Sequence, residues 1–182
     1  MNQTKDNFSP EAQRKRWERG QDFQEEFRES LKRVPSCWFK RLPDGAGPQP
    51  FDTLALLKDF NLGIEFKRLK GRFLSFNDLR PNQVQGLQNF HKVLPQNVGV
   101  VVVHFFDEDM SLDECFMVPF VSLVNYFLRE RTLRVSLTVL RSGELGPRLP
   151  RSADRDGWAL VPLIYTMSEH TGVKLDADYL FK

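Results

Sequence analysis

The chain of 182 residues has little that would tie it to a membrane, a disulfide scaffold or a zinc site. It has two cysteines, Cys37 and Cys115, and three histidines, none at metal-ligand spacing. A disulfide framework and a Cys/His zinc motif are therefore excluded, and both thiols are expected to be reduced. No apolar run reaches membrane-spanning length, and the first residues are too polar for a signal peptide, so the expected compartment is the cytoplasm. Internal repeats and low-complexity tracts are missing as well. The formal net charge is only +2. Bulk charge thus does not demand a polyanionic partner, although Lys and Arg gather in residues 14–41, 67–72 and 129–155, leaving room for local basic patches.

What is abundant is aromatic and apolar: 41% hydrophobic residues and sixteen Phe. That is enough for one core without disulfides or metals. Pro10 sits in the first turn of a predicted helix that starts at Ser9. Its basic stretch, with Arg14, Lys15, Arg16 and Arg19, has Trp17 as its one large apolar anchor. Such a helix is either a solvated arm or a basic arm lying on nucleic acid. Gly20 is expected to interrupt it. From Gln21 to Val34, Phe23, Phe27, Leu31 and Val34 form an inward stripe, with Gln24 beside it.

Residues 37–42 read as a short strand and 43–50 as a Pro/Gly loop leading to Asp52. Residues 54–57 and 62–67 read as paired strands joined by a turn at 58–61. A turn about Asp59 and Phe60 predicts Asp52 opposite Lys67, with Glu65 diagonally near. Glu65 and Lys67 share a face because strand side chains repeat every two residues, and Ile64 and Phe66 point into the core. Two carboxylates and an ammonium at one place suit a divalent metal and phosphodiester chemistry; a solvated face of an amphipathic strand has the same pattern.

Beyond Lys67, Arg68, Lys70 and Arg72 extend the positive charge. Asn77 or Asp78 is expected to cap a helix with Pro81 in its first turn and Val84, Leu87, Phe90 or His91, and Leu94 inward. Gln83 adjoins that stripe and needs a polar partner: either it hydrogen-bonds backbone or, next to a phosphate site, it orients a metal-bound water or a phosphate oxygen. Residues 97–106 predict a central strand buried on both faces, with His104 a core histidine rather than a ligand. Asp107 to Asp109 reads as a polar turn, 115–118 as a strand, and 119–129 as a helix. Residues 133–140 alternate like a strand. Residues 141–157 read as a long loop whose four arginines either contact phosphates or lie on a mobile surface, and 158–165 as an apolar segment docked on the domain.

In this order the chain resembles the PD-(D/E)xK nucleases, and more narrowly the RecU-like Holliday junction resolvases of Gram-positive bacteria and their phages. The resemblance rests on Gly20–Phe27, the Arg41 approach to Asp52, the hairpin ending Glu65-Phe-Lys67 and the stretch Ser75–Gln83. It covers roughly residues 20–125. It implies an α/β, restriction-endonuclease-like αβββαβ core with a mixed central sheet flanked by helices. The expected division is a basic arm at 1–19, a nuclease core at 20–130 and a C-terminal extension at 131–182. It further implies a Mg²⁺- or Mn²⁺-dependent endonuclease in recombination or repair, working as a homodimer on four-way DNA junctions. Asp52 and Glu65 would hold the metal with the carbonyl of Phe66, Lys67 would position the water or stabilise phosphate charge, and Gln83 would support them. Arg16, Arg41, Arg68, Lys70 and Arg72 are the candidate DNA contacts. The family has Glu four residues after the glycine where this chain has Gln24, and Glu25 lies about 100° further round the helix. Nucleases of other DNA structures, a non-catalytic nucleic-acid-binding relative and a scaffold without a nucleic-acid role are the competing readings.

Overall fold

Phe23, Phe27 and Leu31 are buried along one side of helix α1 (Pro10–Lys32), the first element of the computed structural model, which describes residues 10–43, 47–154 and 156–160. Ser9, most of the 158–165 segment and the side chain of Arg16 lie outside the described residues. α1 passes through Gly20 without a break, contrary to the expected interruption. A single interior glycine costs about 1 kcal/mol relative to alanine, which strong helix formers on either side and the buried stripe outweigh.

Strands β1 (Trp38–Arg41), β2 (Thr53–Leu56) and β3 (Asn61–Leu69) form an antiparallel meander. Helix α2 (Pro81–Val93) then crosses over to β5 (Asn97–Asp107), which runs parallel to β3. In the chain, β4 (Phe73–Ser75) lies between β3 and α2. β6 (Leu112–Pro119) returns antiparallel to β5 and leads into α3 (Phe120–Arg129), β7 (Arg134–Ser136), α4 (Leu137–Arg141) and β8 (Arg148–Leu149). The main sheet has the order β1-β2-β3-β5-β6-β8, and β4 and β7 make a small second sheet. β5 is central and buried on both faces, as its unbroken apolar run predicts. Val98, Val100 and Val102 pack with α1; Val101, Val103 and Phe105 pack with α2 and α3.

The register of the β2–β3 hairpin differs from the expected one. Thr53 pairs with Ile64, and the Asp52 amide donates to the Ile64 carbonyl at 2.9 Å, so Asp52 stands opposite Glu65 and not Lys67. The turn closes between Leu57 and Phe60, one residue early, because Phe60 is drawn into the core. Moving the turn by one residue slides the register by two, and two is the side-chain period. Every residue therefore keeps its face.

Three further expectations are corrected. The cap before α2 is neither Asn77 nor Asp78 on the helix itself: Ser75 caps a separate 3₁₀ turn, Phe76–Asp78, and α2 begins at Pro81. Residues 133–140 do not continue as a strand, because the Ser136 hydroxyl accepts from the Val139 amide and starts α4. The 141–157 loop contributes β8 and an Arg151–Trp158 bridge. Its described arginines are bound by acids: Arg141 and Arg148 by Glu114, Arg151 by Glu26 and Asp113.

Candidate active site

Asp52, Glu65, Lys67 and Gln83 face one cavity of about 580 Å³, lined also by Gln24 from α1 and by Arg41 and Arg80. Its walls come from the middle of α1, the approach to β2, the centre of β3 and the first turn of α2. Close contact between the last two is built into a glycine. A Cβ on Gly86 would stand 2.4 Å from Pro50, so only glycine lets α2 press against the segment that delivers Asp52.

Asp52 Oδ2 accepts from the Phe66 amide at 2.9 Å, which fixes the carboxylate against β3 while the Phe66 ring enters the core. The ammonium of Lys67 lies 2.8 Å from Glu65 Oε1 and donates to Gln83 Oε1 at 3.1 Å. Gln83 Oε1 also accepts from the Arg80 amide at 2.9 Å. The inward glutamine thus has a backbone partner at the start of α2 and a second partner in the Lys67 ammonium.

Glu65 is 1% exposed, and its Oε2 is buried without a hydrogen-bond partner among the described residues. Burial pushes its carboxyl up to about 7, the Asp52 carboxylate adds to the rise, and Lys67 pulls against it. A buried, unpartnered carboxylate oxygen beside a second carboxylate is a poor arrangement for a protein alone and a fitting one for a divalent cation. Asp52 and Glu65 are the acids available; among the described residues no cluster of three or more His, Cys, Asp or Glu forms a metal site.

Gln24 lines the cavity and Glu25 does not. The buried Arg28 explains the division: its guanidinium binds Glu25 Oε2 at 2.8 Å and reaches Gln24 Oε1 at 3.4 Å. Glu25 is drawn back toward Arg28, and Gln24 has its carbonyl oxygen turned the same way.

Of the cations expected on DNA whose side chains are described, Arg41 alone lines the cavity. Arg68 donates to the Arg19 carbonyl at 2.9 Å and lies over the Phe106 ring, Lys70 pairs with Asp109, and Arg72 reaches Met110. Arg80 and Trp17 line the cavity too, and neither is among the site residues that the sequence points to. Arg80 carries no periodic signal; its place just before Pro81, at the start of a helix aimed at the site, was the available clue.

This α/β arrangement of a mixed sheet with helices on both faces is a restriction-endonuclease-like fold. Among solved structures, the chain is similar to Hjc of Archaeoglobus fulgidus, a Holliday junction resolvase from an archaeal hyperthermophile. The TM-score is 0.50 at 22% identity, covering 68% of this chain and 93% of that one. At this identity the likeness establishes the fold. No family model and no curated protein matches the chain.

Proposed function

We propose that this protein is a metal-dependent endonuclease that hydrolyses phosphodiester bonds in branched DNA, of the RecU-like kind, in recombination or repair. The observation that carries the reading is the meeting of Asp52, Glu65, Lys67 and Gln83 in one cavity on a resolvase fold. Asp52 and Glu65, with the Phe66 carbonyl, would hold Mg²⁺ or Mn²⁺ through hard oxygen donors. A divalent ion held there would supply positive charge against the phosphate and lower the pKa of water. Lys67, held between Glu65 and Gln83, places a positive charge where charge develops on the phosphate oxygens. Gln83 acts on the substrate through Lys67, since its oxygen is divided between that ammonium and the Arg80 amide. Gln24, its oxygen turned to Arg28, presents an amide donor to a phosphate oxygen or a water. Arg41 extends the phosphate track, with Arg16, Arg68, Lys70 and Arg72 as outer contacts. Two symmetric cuts across a four-way junction need two sites, hence a homodimer.

The test is cleavage of branched DNA in Mg²⁺ or Mn²⁺ by the wild type, Asp52→Ala and Lys67→Ala. The wild type is expected to cut, and each variant to lose roughly 10²-fold or more. A second reading, a non-catalytic nucleic-acid binder, is favoured by Gln24 standing where the resembling family has a carboxylate. Tight binding without cutting in either metal would select it. Binding that ignores salt would exclude both, because phosphate contacts release counterions.

A further inference from the structure

Trp17 is not an anchor: its indole is 63% exposed, yet it lines the cavity that holds Asp52, Glu65 and Lys67. Trp17, Gly20, Gln21 and Gln24 stand at i, i+3, i+4 and i+7 on α1 and all line that cavity, so one helical face descends from the indole to the site. Gly20 leaves a gap in this face, because a Cβ there would meet no atom of the described residues within 4 Å outside its own stretch of helix. An exposed indole, the bare backbone of Gly20, and two exposed arginines, Arg41 and Arg80, line the cavity together. An indole offers a flat apolar face to a base, and guanidinium groups offer forked donors to phosphate.

We propose that Trp17 is a stacking platform for an unpaired nucleobase of the strand entering the site, with Arg80 and Arg41 on the adjoining phosphates. The identity of the ligand as DNA rests on the nuclease reading above. In continuous duplex each base is already stacked between its neighbours, so the platform engages only a base freed from the stack. Where the arms of branched DNA meet, stacking is interrupted, so a base is freed at less cost than in continuous duplex. Trp17 thereby favours branched or single-stranded DNA over duplex.

The experiment uses the full chain with Trp38→Phe, which leaves Trp17 as the exposed emitter beside the buried Trp158. It is titrated in Ca²⁺ and again in EDTA with an end-labelled oligothymidylate and a labelled abasic strand of equal length, with the affinities of parent and variants read from the anisotropy of the strand and stacking read from the Trp17 emission of the parent. Expected are quenching by the oligothymidylate, a loss of about five- to a hundredfold in affinity on Trp17→Ala, and retention of most affinity by Trp17→Phe. The abasic strand should bind the parent and Trp17→Ala alike. Equal binding of both strands by the parent, or no loss on Trp17→Ala, overturns the platform; so does absence of quenching in both media. Circular dichroism of Trp17→Ala should be unchanged, since the indole supports no core. Cutting is scored separately in Mg²⁺. A chain that cuts branched DNA without base-dependent binding keeps the nuclease and loses the platform, whereas one that quenches and never cuts does the reverse.

Discussion

Replacing Glu65 by Gln should stabilise the metal-free protein at alkaline pH while removing its cutting activity. The carboxyl is buried, faces Asp52, and has its pKa raised from the ordinary 4.5 to about 7. At 1.36 kcal/mol per unit, that rise corresponds to about 3 kcal/mol of destabilisation once the group ionises. The sign follows from proton uptake. Between 4.5 and about 7 the folded chain holds this proton and the unfolded chain does not, so stability falls as pH rises through that window. Glutamine mimics the protonated acid in shape and cannot ionise, but it gives up the charge partner of Lys67, which offsets part of the gain. We therefore expect Glu65→Gln to exceed the wild type by about 1–3 kcal/mol at pH 8 to 9 in EDTA, and to match it near pH 5. Urea denaturation across pH 5 to 9 gives the difference curve. That difference matters because His104, buried and lowered to about 4, acts in the opposite direction over an overlapping range: its neutral folded form loses stability as pH falls below 6.5. The His104 contribution is common to both proteins and cancels. A difference that is independent of pH, or a variant less stable than the wild type at pH 8, would refute the picture of Glu65 as a strained carboxylate awaiting a cation.

Three other outcomes follow from the geometry. Gly86→Ala should cost about 1–3 kcal/mol by forcing α2 from Pro50, and should lower cutting more than a distant variant of equal stability; a near-neutral denaturation midpoint would count against the close approach. Arg151→Gln should lower thermal stability by about 1–3 kcal/mol, because it takes the guanidinium from Glu26 and from Asp113, which keeps His104, and uncovers Trp158. The salt slope of DNA binding by this variant should stay unchanged, whereas a shallower slope would make Arg151 a phosphate contact after all. Gln24→Glu should tighten Mn²⁺ binding by roughly tenfold in calorimetry, since it adds an acid to the pair already present; weaker binding would mean that Gln24 does not adjoin the metal.

The parts of this protein governed by short-range periodicity are readable in its sequence. The α1 stripe, the doubly buried β5 and the shared face of Glu65 and Lys67 all follow from periods of 3.6 or 2. The hairpin register was misplaced by two residues without harm to the site, because side-chain direction depends on parity and not on the turn's position. What the sequence concealed depends on partners far along the chain. Arg151 reads as a free loop cation until β8 and the bridge to Trp158 bring it to Glu26 and Asp113. Trp17 reads as an anchor because a lone aromatic on a basic helix is expected to find a core, and only the assembled cavity leaves it in solvent. Arg28 escaped notice for a related reason. Its burial beneath Gln24 and Glu25 decides which of those two faces the site, and no local pattern marks a buried arginine.

The central claim is best tested on a synthetic four-way junction compared with matched duplex and single strand, in Mg²⁺, Mn²⁺ or EDTA. The account predicts paired, symmetric nicks in the junction, no comparable cutting of the duplex, and loss of all cutting in EDTA and in Asp52→Ala. An intact junction in both metals, under conditions where the protein binds it, would contradict it.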